Sequence, residues 1–119
     1  MSILTSIKLE TASICEITKL STQKRFSTSS PLFYEGQIPI VAYLLLEGCI
    51  QLLKNKKIKH ILRPGSLIGL DELMSNSPSK HEAFVHAEST LCFLDKSTIL
   101  EIIHEENSSL AFLLRDKAK

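Results

Sequence analysis

Short apolar runs cut off by turn-forming residues restrict this chain more than any other feature of its sequence. The runs cover 32–34, 42–46, 50–53, 58–62, 84–87 and 91–94. Each is of strand length and too short for a buried helix. The breaks between them are Glu35-Gly36-Gln37, Glu47-Gly48, Asn55-Lys56, Arg63-Pro64-Gly65-Ser66 and Glu88-Ser89-Thr90. Gly and Asn tolerate the left-handed backbone of tight turns, and Pro64 presets the turn that Gly65 completes. Such spacing predicts an all-β sandwich or barrel. Alternation of apolar and polar residues is clearest over 58–62, the pattern of a half-buried strand. The segment 42–46 is almost wholly apolar, as a strand covered on both faces would be.

Helices flank this β region. From Leu9 to Leu20 the apolar residues Leu9, Ala12, Ile14, Ile17 and Leu20 recur at helical spacing, with Glu10 early and Lys19 late as the helix dipole prefers. The polar tract 21–31, with Phe26 inside it, suits edge strands and opens the β region. Ile99, Leu100, Ile102 and Ile103 form a second helical stripe, for which Ser97 or Thr98 is the expected cap, the latter paired with Glu101. A third helix is expected from Asn107 through Leu110, Ala111, Leu113 and Leu114. The expected organisation is one domain over 1–119, with a helix at 9–20, a β-roll at 24–94 and helices at 97–114.

The whole chain of 119 residues suffices for one hydrophobic core, burying somewhat under ~70% of the unfolded surface. Fourteen basic against thirteen acidic residues leave a formal charge of +1, so there is no overall field to recruit nucleic acid. The basic run Lys54-Asn55-Lys56-Lys57 with Lys59 and His60 reads as a solvated hairpin tip, with phosphate binding as the alternative. Cys15, Cys49 and Cys92 are odd in number and widely spaced in apolar surroundings, which points to reduced, buried thiols rather than a disulfide framework or a metal knuckle. The N-terminus has no charged-then-apolar leader pattern, and no run of about eighteen apolar residues occurs. The expected location is the cytoplasm, with no membrane contact.

The segments 33–37, 42–52 and 61–69, with glycines at 36, 48, 65 and 69 in that order, resemble the cyclic-nucleotide-binding domain superfamily. The likeness is strongest to the sensor half of the catabolite-activator and fumarate-nitrate-regulator transcription factors, and it covers roughly 9–114. It implies a mainly β fold with flanking helices, a double-stranded β-helix or jelly-roll-like β-roll. It also implies a phosphate-binding loop after the glycine series. In that loop a short helix opens with Gly-Glu, the carboxylate takes a ribose hydroxyl, and a later Arg-Ser or Arg-Thr pair grips the cyclic phosphate. The chemistry asks for a helix N-terminus and a bidentate guanidinium.

This chain departs from that pattern. Gly69 matches the opening glycine, but Leu70 follows it and the carboxylates fall at Asp71 and Glu72. Counting back from Ala83-Phe84-Val85-His86-Ala87 places His81 at the phosphate arginine and Glu82 beside it; a shift of one residue puts Lys80 there instead. An imidazole lacks a guanidinium's fork, and a carboxylate beside the phosphate repels it. The expectation is therefore a degenerate ligand site with no cofactor, cyclic-nucleotide binding being disfavoured, around Gly69, Asp71, Glu72, Lys80, His81 and Glu82.

Catalysis finds no support in the sequence. A cupin-type metal site needs His-x-His, which His60, His81, His86 and His104 do not supply, and His81 and His86 are five apart, on opposite faces of a strand. No Gly-x-Ser-x-Gly turn is present, and the cysteine cluster of the oxygen-regulator branch is missing. The expected function is a non-enzymatic, stand-alone regulatory module acting on a protein partner or a second copy, without direct DNA binding. Leu110, Phe112, Leu113 and Leu114 are the expected interface. The alternative is a sensor of a cyclic mono- or dinucleotide held in a non-standard way.

Overall fold

The structure, a computed structural model, describes residues 6–104. In chain order the elements are β1 (Ser6–Lys8), α1 (Thr11–Leu20), β2 (Thr22–Phe26), β3 (Ser30–Phe33), β4 (Val41–Glu47), β5 (Ile50–Lys54), β6 (Lys57–Leu62), β7 (Ser66–Ile68), α2 (Leu70–Ser75), β8 (Glu82–Val85), β9 (Ser89–Asp95) and α3 (Lys96–Ile103). Two antiparallel sheets result, one ordered β1-β7-β4-β9-β2 and the other β3-β8-β5-β6. This is the mainly β roll with flanking helices that the family resemblance implies.

Burial follows strand parity. On β4, Ala42 and Leu44 face the helices, where they join Leu67, Cys92 and Leu94 from their own sheet with Ile17 of α1, Leu70 and Leu73 of α2, and Ile99 and Ile102 of α3. Leu45 faces the other way, into the space between the sheets, with Ile68 and Leu91 against Phe33, Ile50, Leu52, Leu62, Ala83 and Val85. Tyr43 stacks on Phe33 and meets Phe93 edge-on at 5.2 Å between ring centroids. A sheet sandwiched between helices and a second sheet needs apolar residues on both faces, which is why 42–46 is continuous rather than alternating.

Several expectations are corrected. The segment 58–62 alternates in sequence but does not form a half-buried strand: β6 lies at the edge of its sheet and all its residues except Leu62 are exposed. A register shift between Leu52 and Leu53 puts Ile58 opposite Leu53 and Ile61 opposite Gln51, away from the core. The helix at 96–103 is capped by Asp95, whose carboxylate accepts from the Thr98 backbone N–H at 2.8 Å, and not by Ser97 or Thr98. The chain turns straight from β9 into helix at Lys96, so Asp95 occupies the capping position. Of the three cysteines only Cys92 is buried; Cys15 is exposed. It lies two residues from both Ser13 and Ile17, on the opposite side of α1 from its buried face. Ala12 is exposed and Leu20 half-exposed, so the packed stripe of α1 reduces to Ile14 and Ile17. His81 and His86 flank β8 rather than sitting on it. The strands β1 and β7, too short to show periodicity, were not foreseen.

Candidate functional site

Strand β7 delivers the chain into the site. Gly69, with φ 84°, turns it directly into α2, and its carbonyl accepts from Leu73 N at 3.0 Å. α2 lasts only six residues because Asn76 takes the left-handed conformation (φ 58°) and returns its N–H to Glu72 O. The following loop is held by two main-chain bonds of 2.8 Å, Gly36 N to Ser79 O and Ser79 N to Gln37 O, against the turn formed by Tyr34–Gln37. Ser79 is buried for that reason.

Between α2, this loop and the inner face of the four-stranded sheet lies a cleft enclosing about 240 Å³ including its open mouth. Phe33, Leu52 and Ile68 give it an apolar floor, while Gly69, Glu72, Ser79, Lys80 and His81 supply its polar groups. Four of the six residues singled out from sequence therefore meet at one opening. Asp71 and Glu82 are not among the lining residues. Asp71 Oδ1 is buried with no hydrogen-bond partner among the described residues. Glu82 opens β8 opposite Leu53, and so does not crowd the site as its neighbour relation to His81 suggested.

Burial shifts two titratable groups at the cleft toward their neutral forms. Glu72 is 9% exposed, and burial pushes its carboxyl above the usual carboxylate range, with Asp71 adding to the effect and a backbone hydrogen bond and Lys80 opposing it. Burial likewise lowers His81, helped by His60, Lys54 and Lys59 against the opposing pull of Glu35. The His60 and His81 rings sit edge-to-face at 5.8 Å. Lys54 is drawn to Glu35, 3.9 Å away, and donates at 3.5 Å to the Lys80 carbonyl. The two described arginines lie elsewhere. Arg25 pairs with Glu88 at 2.6 Å, and Arg63 lies in the turn after β6. Sequence reasoning missed Ser79 and the apolar floor, and it did not bring Lys54 and His60 of the basic run beside Lys80 and His81, because loop pinning and cross-strand pairing join residues from distant parts of the chain.

Among the described residues no group of three or more His, Cys, Asp or Glu is arranged to hold a metal ion. No helix there is long and apolar enough to cross a membrane. The expected interface at Leu110, Phe112, Leu113 and Leu114 lies outside the described residues.

A sandwich of these two sheets, with a glycine-initiated short helix and a pinned loop over its inner face, is a jelly-roll-like β-roll. The family model for the cyclic nucleotide-binding domain matches residues 23–106, and the chain belongs to that family. Its members are regulatory modules. Among solved structures, the catabolite activator protein of Thermus thermophilus shares the fold at a TM-score of 0.73 and 18% identity, over 92% of this chain and 51% of that one. The present chain thus spans about half the length of that protein. A protein from a cyclic-GMP-dependent signalling pathway that regulates bacterial phytopathogenesis aligns at a TM-score of 0.78 and 20% identity, over 92% of both chains. The cAMP-bound regulatory domain of Toxoplasma gondii PKA aligns at 0.63 and 18%, over 78% of this chain and 37% of that one. No curated protein matches the chain by sequence.

Proposed function

We propose that this chain works over 1–119 as one cytoplasmic regulatory domain that signals by contact with a protein partner or a second copy, without binding DNA itself. In this reading the cleft does not hold a cyclic nucleotide by the family's carboxylate-and-arginine grip. The supporting observation is its lining, which holds no arginine and offers instead the imidazole of His81, biased toward its neutral form, near the buried Glu72. A cyclic phosphate there would find no bidentate guanidinium to hold its charge. Lys80 answers that only as an exposed point charge.

A second reading is favoured by the convergence of Gly69, Lys80 and His81 on one opening. It makes the chain a sensor of a cyclic mono- or dinucleotide whose phosphate rests on Lys80. Calorimetric titration with cyclic AMP, cyclic GMP and cyclic di-GMP at neutral pH separates the two. The expected result is no heat of binding up to millimolar ligand. Micromolar binding that Gly69→Trp and Lys80→Glu both abolish establishes the sensor instead.

A further inference from the structure

The inference rests on the interaction reading and names a surface and a partner for it. Strand β6 is an edge strand whose one pairing among the described residues is with β5. Its other side offers a row of backbone donors and acceptors, the feature that invites strand addition. Ile58 and Ile61 are 52% and 54% exposed. Their cross-strand partners Leu53 and Gln51 place them on the outer face of the sheet, whereas His60 and Leu62 pair with the core residues Leu52 and Ile50. Isolated exposed isoleucines are ordinary, but two on one edge left unpaired by the described residues form a contact line.

Charge decides what fits this line. Residues 48–70 contain no acidic side chain and carry Lys54, Lys56, Lys57, Lys59 and Arg63. Lys54 is drawn to Glu35, while Lys56, Lys57, Lys59 and Arg63 enter no ion pair among the described residues. A second copy pairing edge to edge would set these lysines against their own counterparts, which is unfavourable. A lipid surface or nucleic acid would use the cations and leave the backbone edge unmatched. We propose that β6 is a docking edge that takes an extended, acidic segment of a partner protein as a fifth strand of the sheet, its apolar side chains alternating over Ile58 and Ile61 and its carboxylates facing Lys57 and Lys59.

The probe is a blocked ten-residue peptide alternating Asp and Val, with its Lys-Val counterpart as control. Binding is followed by fluorescence anisotropy and by amide hydrogen exchange of the full chain. The acidic peptide is expected to bind at least tenfold more tightly than the control and to slow exchange at amides within 57–62. Lys57→Glu combined with Lys59→Glu, both on an exposed edge where folding is little affected, is expected to weaken it at least tenfold. Equal binding to that double variant, protection elsewhere than β6, or edge amides already protected in the free protein overturns the proposal. So does binding of phosphatidylglycerol vesicles in preference to the peptide. A peptide that fails while cyclic nucleotides also fail to bind sinks this surface alone; nucleotide binding at the cleft sinks the interaction reading beneath it.

Discussion

Gly48 and Gly69 belong to the same ordered glycine series and share a left-handed backbone, with φ 93° and 84°, yet they do different work. A Cβ on Gly48 would stand 2.1 Å from Ser89 Oγ and 2.7 Å from Ser89 Cα. Ser89 is fully buried, and its hydroxyl accepts from Cys49 N at 3.1 Å, closing the turn from β4 to β5 onto the start of β9. A Cβ on Gly69 would meet only Val41 O at 3.6 Å and Ala42 Cα at 3.8 Å, ordinary contacts. The first glycine is required by packing against a backbone that has nowhere to go. The second is required by the local turn into α2 and leaves space beside it. Where the roll is closed its residues are dictated by sterics; at the cleft the backbone is shaped while the space beside it leaves room for different side chains.

Replacing each glycine by alanine is the most severe test of that contrast. Gly48→Ala combines backbone strain with a clash and is expected to cost about 3 kcal/mol or more. Gly69→Ala carries the strain alone, on the order of 1 kcal/mol. Urea unfolding measures both, and equal losses would erase the distinction. In thermal terms the first corresponds to a fall in Tm of roughly 10 °C or more.

The cleft side can be sharpened through Glu72. Its folded-state pKa is raised, so folding is favoured most below the unfolded carboxyl's value and the benefit is lost as pH rises through the folded value. Glu72→Gln is therefore expected to raise Tm by a few degrees at pH 7, roughly the effect of 0.5–1 kcal/mol. That advantage should shrink as pH falls toward 4.5, the ordinary value for the group. A Tm difference independent of pH, followed by scanning calorimetry, removes burial of the charge as the cause.

His81 gives the smallest effect, with the opposite sign. Its pKa is lowered, so its contribution is present above pH 6.5, the ordinary imidazole value, and is lost as pH falls from there toward the lower folded-state value. The groups facing it are His60 and Lys59 on β6, Lys54 on β5 and Glu35 in the turn after β3. His81→Gln is expected to flatten the loss of stability between pH 7 and 5 by about a degree in Tm. An unchanged pH profile would separate His81 from the acid sensitivity of the cleft.

Much of this was legible before any coordinates, for reasons that can be stated residue by residue. Turn chemistry marked the strand boundaries at Gly36, Gly48 and Gly65, and all three adopt positive φ. The unbroken apolar run on β4 announced its burial on both faces. The cleft residues Gly69, Glu72, Lys80 and His81 were reachable because the short helix and its loop keep them within thirteen positions in sequence. The alternation over 58–62 misled because period two reports only that a strand has two faces, not whether its sheet is covered.

The sequence by itself determined a mainly β fold, through apolar runs whose lengths and breaks suit a sandwich or barrel, and it determined that no arginine lies between Gly69 and Val85. Tertiary structure alone decided that β6 is an edge with Ile58 and Ile61 outward, that Glu82 turns away from the cleft while Glu72 lines it, and that His60 approaches His81. Those outcomes depend on register and on contacts between residues far apart in the chain, and local propensity carries no information about either.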